Sequence, residues 1–107
     1  MEIVVVAHDI RSMHNVGSIF RTADAAAVRK IFLCGITPSP LDRFKEVRAD
    51  FAKVALGAER SVAWESAKTT AGVIKQLKKD GYEIFTFNGE QTIENVHQDI
   101  IKALNFQ

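Results

Sequence analysis

The sequence predicts an α/β domain, a mostly parallel sheet with flanking helices, on three observations. Residues 3–7 and 31–34 are continuously apolar, as strands covered on both faces are. The segment between them has apolar residues at helical spacing, so strand, helix and strand fall within about thirty residues, the size of a βαβ crossover. A helix–Gly–strand–helix rhythm follows over the second half of the chain, and such alternation argues for a parallel sheet.

The first strand is Ile3, Val4, Val5, Val6 and Ala7. A polar stretch from His8 to His14 separates it from a helix that the spacing starts at Asn15. Val16, Ile19, Phe20, Ala23 and Ala27 recur every three or four residues along it. Asn15 is an N-cap type, able to accept from first-turn N–H groups. Arg29 and Lys30 close the helix before the second strand. Thr37-Pro38-Ser39-Pro40 marks a loop with a restricted backbone. Phe44, Val47, Phe51 and Val54 then return to helical spacing, with Gly57 as the terminator. Residues 61–64 read equally as a short strand or an extended connection. A helix over 69–80 turns Val73, Ile74 and Leu77 inward and ends at Gly81. Residues 82–87 make a strand with good β propensity, and Asn88-Gly89 is a turn. A last helix over 92–104 carries Ile93, Val96, Ile100, Ile101 and Leu104.

The chain has 107 residues, 47% hydrophobic and 25% charged, with 14 basic against 13 acidic residues. This is the composition of one ordinary globular domain and excludes a polybasic arm or an acidic solvating chain. The single cysteine, Cys34, excludes an internal disulfide and lies in an apolar run, as a small buried hydrophobe. The opening residues are too short and too acidic for a signal peptide, and no run approaches the ~18 apolar residues of a membrane span. A cytoplasmic protein without a membrane partner is expected.

Chemistry concentrates between His8 and Asp24. His8, Asp9 and His14 match no metal-ligand spacing and read as solvated loop residues, so no metal is expected. Asn15, Gly17 and Arg21 fall at i, i+2 and i+6, immediately after a buried strand, where open α/β sheets bind ligands. Gly17 costs a helix roughly 1 kcal/mol relative to alanine. Close approach by another backbone or by a phosphate would account for it. Gly17 and Arg21 are expected on the face away from Val16, Ile19, Phe20 and Ala23. Arg21 reads either as a surface ion pair with Asp24 or, with the helix-start N–H groups, as a phosphate site. Arg11 and His14 are further donors for a phosphate backbone.

These residues carry a resemblance. The text "HDIRSMHNVGSIFRTADAAAVRKIFLCGITPSP", continued by "KVALGAERSVAWE", resembles the SpoU family of RNA 2′-O-methyltransferases, within the SPOUT superfamily. Its core is N-x-G-x-x-x-R-x-A, supplied by Asn15, Gly17, Arg21 and Ala23. The resemblance is close over 4–65, looser to 85, and unmatched over 86–107. It implies an α/β-knot fold whose C-terminal part is threaded into a trefoil knot that binds S-adenosylmethionine and builds a dimer interface. It implies Arg21 as the catalytic residue, engaging an RNA phosphate and promoting deprotonation of the ribose 2′-hydroxyl, with Asn15 shaping the site. Arg11, His14, Gly17 and Arg21 are the residues expected to face RNA.

The sequence also departs from the family. Ala27 stands where glycine is usual, and Val54 replaces a common threonine. A glycine-rich turn after a buried strand and a serine-leucine-asparagine element are both missing; Asn88-Gly89-Glu90 is a faint echo of the former. The expectation is therefore a single truncated SpoU-like domain over 1–107. It would be the N-terminal portion of the knot fold, lacking the C-terminal knot and any cofactor-binding residues. Such a chain belongs to S-adenosylmethionine-dependent 2′-O-methylation of tRNA or rRNA but is not competent alone. The alternatives are an inactive RNA-binding or assembly module, or a non-functional fragment. Expected partners are tRNA or rRNA, with either a homodimer or a separate C-terminal half.

Overall fold

β-Branched residues with no polar interruption make the first strand a natural sheet centre, and it is one. In the computed structural model, which describes residues 2–89, β1 (Ile3–His8) pairs on both sides. The other elements are α1 (Met13–Ala25), β2 (Lys30–Cys34), α2 (Ala49–Ala55), α3 (Ala58–Ser61), β3 (Ala63–Ala67), α4 (Thr70–Asp80) and β4 (Glu83–Asn88). The four strands are all parallel in the order β3-β2-β1-β4. The three strands read from sequence are therefore neighbours in one sheet, as expected. The last helix read over 92–104 lies outside the described residues.

The two sheet faces are covered unequally. Ile3, Val5, Ala7, Ile31, Leu33 and Phe87 pack under α1, α2 and α3. Val4, Val6 and Cys34 lie under α4, whose Leu77 is buried among them. Phe20 of α1 meets Phe51 of α2 edge-on, with ring centroids 5.1 Å apart, and Trp64 of β3 at 6.4 Å. Among the described residues no helix is long and apolar enough to cross a membrane.

Three local readings change. The cap of α1 is Ser12 and not Asn15: the Ser12 hydroxyl accepts from Asn15 N at 3.3 Å, which starts the helix at Met13. Asn15 becomes its third residue. Phe44 and Val47 are not helical. They belong to a turn closed by the Asp42 carboxylate, which accepts from the backbone N–H groups of Phe44 and Glu46 at 2.8 and 3.1 Å. Only the later half of that stretch forms α2, which ends on Leu56 at φ 51°. The undecided residues 61–64 divide between the end of α3 and edge strand β3.

Candidate functional site

The order of the strands locates a site before any side chain is considered. From β1 the chain passes through α1 to β2 and on to β3 in one direction. It then returns through α4, on the other face, to β4 on the far side of β1. The direction reverses between β1 and β4, and at such a switch point the carboxyl ends of the strands leave a crevice. A cavity of about 590 Å³ opens there, lined by His8, Asp9, Arg11, Asn88 and Gly89.

Asp9 is the centre of this edge. Its backbone is left-handed, at φ 53°, a conformation that aspartate tolerates better than most residues. Asp9 N donates to Cys34 O at 3.2 Å, and Asp9 Oδ1 accepts from Ile36 N at 3.0 Å. Oδ2 lies 3.2 Å from His8 Nε2, and the other ring nitrogen of His8 shares a hydrogen bond with the Thr70 hydroxyl of α4. Gly35 and Gly89 flank Asp9 so closely that a Cβ on Gly35 would strike its carboxylate, and one on Gly89 its carbonyl. The buried Thr37 hydroxyl completes the edge. It lies 2.8 Å from Cys34 O and accepts from Ile10 N at 3.1 Å.

His8 and Asp9 are thus not the free loop residues that the sequence suggested. The tether of His8 is Thr70, sixty-two positions away, and no spacing rule reaches that far. The available signals were the two glycines and an aspartate after a buried strand. Among the described residues no group of three His, Cys, Asp or Glu side chains is arranged to hold a metal ion. Cys34 is buried beneath this edge. Burial pushes its thiol above the ordinary range, and a hydrogen bond from Thr70 opposes the shift.

The structure separates the motif residues that the sequence brought together. Arg11 is exposed and lines the crevice. His14 is exposed and Asn15 half-buried in the first turn of α1. Arg21 is exposed, and among the described residues it has no ion pair, with Asp24 or otherwise. With about 100° per residue, His14 and Arg21 share one face of α1, whereas Asn15 lies about 120° around it. Arg21 is also eight residues beyond Met13, roughly 12 Å along the axis. Arg21 thus sits about two turns into α1, beyond the helix-start N–H groups that the phosphate reading pairs it with. The helix start and Arg21 form two ends of a stripe.

Gly17 is the clearest correction. It is buried, and a Cβ would come within 3.1 Å of both Phe51 O and Val54 Cβ of α2. It faces the neighbouring helix and not solvent. The absent side chain lets α2 approach α1, so of the two explanations for this glycine the backbone one holds.

The crevice lies where the methyl donor that the resemblance implies would have to be held. An adenosyl group needs an apolar slot and free backbone groups. The lining residues are polar or glycine, and Gly89 is closed against Asp9 O. The described lining of this crevice does not fit S-adenosylmethionine, and no chemical step is derived through it.

Comparison with known proteins agrees with this architecture. The chain is similar to the 23S rRNA (guanosine-2′-O-)-methyltransferase RlmB of Ralstonia nicotianae, 26% identical over 101 residues. That alignment covers 94% of this chain and 36% of the relative. The same enzyme of Bordetella pertussis is 29% identical over 97 residues, covering 90% and 36%. The chain thus spans about a third of the length of these curated relatives. Among solved structures, the A. aeolicus TrmH/SpoU tRNA modifying enzyme superposes with a TM-score of 0.78 at 11% identity, covering 97% of this chain and 74% of that one. An rRNA methyltransferase from Sinorhizobium meliloti gives 0.66 at 20% identity, covering 91% and 44%. These structural likenesses show a shared fold. The sequence profile of the SpoU rRNA Methylase family matches residues 2–104, and the chain belongs to that family.

Proposed function

We propose that residues 1–107 act as one SpoU-like unit in 2′-O-methylation of tRNA or rRNA, supplying RNA-facing groups for transfer from S-adenosylmethionine. The observation that carries this reading is Arg21. It is an exposed guanidinium without a partner among the described residues, on a helix whose opposite side is sealed by Val16, Ile19, Phe20 and Ala23. A cation held on a rigid backing, and not neutralised among the described residues, is ready for a phosphate. Arg21 then takes the phosphate beside the reacting ribose. Asn15, on another face of the same helix, shapes the site, while Arg11 and His14 extend the phosphate contacts toward the crevice. Gly17 contributes by setting the approach of α2. The partners are RNA and either a second copy or a separate C-terminal half, and the compartment is the cytoplasm.

The described lining of the crevice offers no adenosyl slot and the glycine-rich and serine-leucine-asparagine elements are missing from the sequence, so the chain by itself is expected to bind RNA without turnover. Incubation with labelled S-adenosylmethionine and total RNA tests this. The expected result is RNA retention that falls steeply with salt and no label on ribose. Label on 2′-oxygens that disappears in Arg21→Ala would overturn the lack of competence and support the role of Arg21. Absence of RNA retention at low salt would overturn the RNA reading itself.

A further inference from the structure

The turn between β2 and α2 holds an aromatic residue out into water and spends many hydrogen bonds to do so. Leu41 and Val47 form an isolated antiparallel bridge. Inside it, Asp42 N donates to Glu46 O at 2.8 Å and Lys45 N to Asp42 O at 3.0 Å. The Asp42 carboxylate takes the N–H groups of Phe44 and Glu46, and Lys45 supplies the left-handed corner at φ 63°. At the base, Arg48 donates from N to Pro40 O at 2.9 Å and from Nε to Ser39 O at 3.1 Å.

The group displayed by this frame is Phe44, which is 70% exposed, more than any other large hydrophobic residue described. Phe20, Phe51 and Phe87 are buried, and Phe32 and Phe85 partly so. The Arg43 guanidinium lies 4.8 Å from the Phe44 ring centroid, and exposed Lys45 is the next residue in the chain. The carboxylate at the turn, Asp42, is occupied by backbone N–H groups, while Glu46 is an exposed acid one residue beyond Lys45. An exposed ring on a locked backbone, with one cation against it and a second next to it in sequence, has the chemistry that stacks a nucleobase and meets its phosphates.

The turn also rises from the edge that carries the candidate site. Its leading strand end is tied to the exit of β1 by Ile36 N on Asp9 Oδ1 and by Ile10 N on the Thr37 hydroxyl. We propose that Arg43, Phe44 and Lys45 form a stacking platform for an unpaired base of the RNA substrate, a proposal that rests on the RNA reading above. A paired base already stacks on its neighbours and hides both faces, so the platform selects single-stranded or flipped nucleotides.

The test is a fluorescence titration of the whole chain with a short single-stranded RNA carrying one 2-aminopurine, and with the same strand annealed to its complement. The single strand is expected to bind more tightly, and Phe44→Ala to weaken it roughly 5- to 150-fold. Phe44→Trp should stay within about threefold of the parent, whereas Phe44→Leu should behave like the alanine variant, because only a π-face stacks. Thermal unfolding of each variant checks that the turn still folds. If Phe44→Ala binds as the parent does while Arg21→Ala weakens, the platform is wrong and the RNA reading stands. If the parent binds neither RNA form, both are overturned. Equal retention by Phe44→Leu would assign the ring to an apolar contact and also overturn stacking.

Discussion

The two crossover helices, α1 and α4, end in the same way but are held very differently. At the end of α1, Val28 N donates to Ala23 O at 3.0 Å and Ala27 N to Asp24 O at 3.2 Å. At the end of α4, Tyr82 N donates to Leu77 O and Gly81 N to Lys78 O, both at 3.2 Å. Both are Schellman endings, which need a left-handed residue just past the helix. α4 uses Gly81 at φ 84°, but α1 uses Ala27 at φ 55°, where the family usually has glycine. α1 buries Val16, Gly17, Ser18, Ile19, Phe20 and Ala23, whereas α4 fully buries only Leu77. A helix fixed by burial can carry a poor ending at one end and, on its exposed face, a cation that has no ion pair among the described residues. That is a suitable carrier for a binding residue.

The largest effect should come from removing the burial. Phe20→Ala deletes a ring that touches both Phe51 and Trp64, and should lower stability by about 3–5 kcal/mol. Val73→Ala on the partly buried face of α4 should cost only about 1 kcal/mol. Urea denaturation midpoints decide this, and equal losses would erase the contrast between the helices.

The endings sharpen it from the other direction. Gly81→Ala meets nothing within 4 Å, so its loss, about 1–2 kcal/mol, comes from the backbone alone. Ala27→Gly should do the reverse and raise stability by about 0.5–1 kcal/mol. A destabilised Ala27→Gly would mean that the alanine methyl makes up for its strained φ.

Beneath α4, Cys34 gives the comparison a pH arm. Burial raises its thiol pKa, so the unfolded thiol ionises first. Its contribution to stability is whole below the unfolded thiol range and is lost as pH climbs through it toward the raised folded value. The parent should therefore lose more stability on the alkaline side than Cys34→Ala does, by chemical denaturation at neutral and alkaline pH. The folded thiol should also resist disulfide reagents until the chain is unfolded.

How far the sequence shows this structure depends on how local each cause is. The buried strands are legible because a parallel sheet covered on both faces requires apolar residues without alternation, as in Val4, Val5 and Val6. Edge strand β3 is not, since only Trp64 points into the main core and its neighbours Ala63 and Glu65 are exposed. The helical spacing of Phe44, Val47, Phe51 and Val54 misleads because Asp42 captures two backbone N–H groups that a helix would have used. Ser12 and Asn15 are both capping types, and only the geometry shows which one turns its oxygen to the helix. At the site, Arg21 was legible as an exposed position opposite an apolar stripe. The close packing around His8 and Asp9 was not, because it depends on Gly35 just past β2, Thr70 of α4 and Gly89 just past β4.

The smallest expected change in stability is the most telling for function. Arg21→Ala removes an exposed side chain without an ion pair among the described residues, and alanine is at least as good a helix former. Stability should stay within about 0.5 kcal/mol of the parent. RNA affinity should fall, and the slope of log affinity against log salt should become shallower by about one phosphate contact. Arg29→Ala is the matching control. Arg29 is also exposed, but at the amino edge of the sheet, where it pairs with Glu2 at 3.0 Å and lies over the Tyr82 ring. Its loss should cost a few tenths of a kcal/mol and leave the salt slope unchanged. If the two substitutions flatten the slope equally, RNA is held by diffuse charge over the whole surface, and α1 has no special claim to its phosphate. If only Arg21→Ala does so, the cation on the sealed helix is the one that RNA reads.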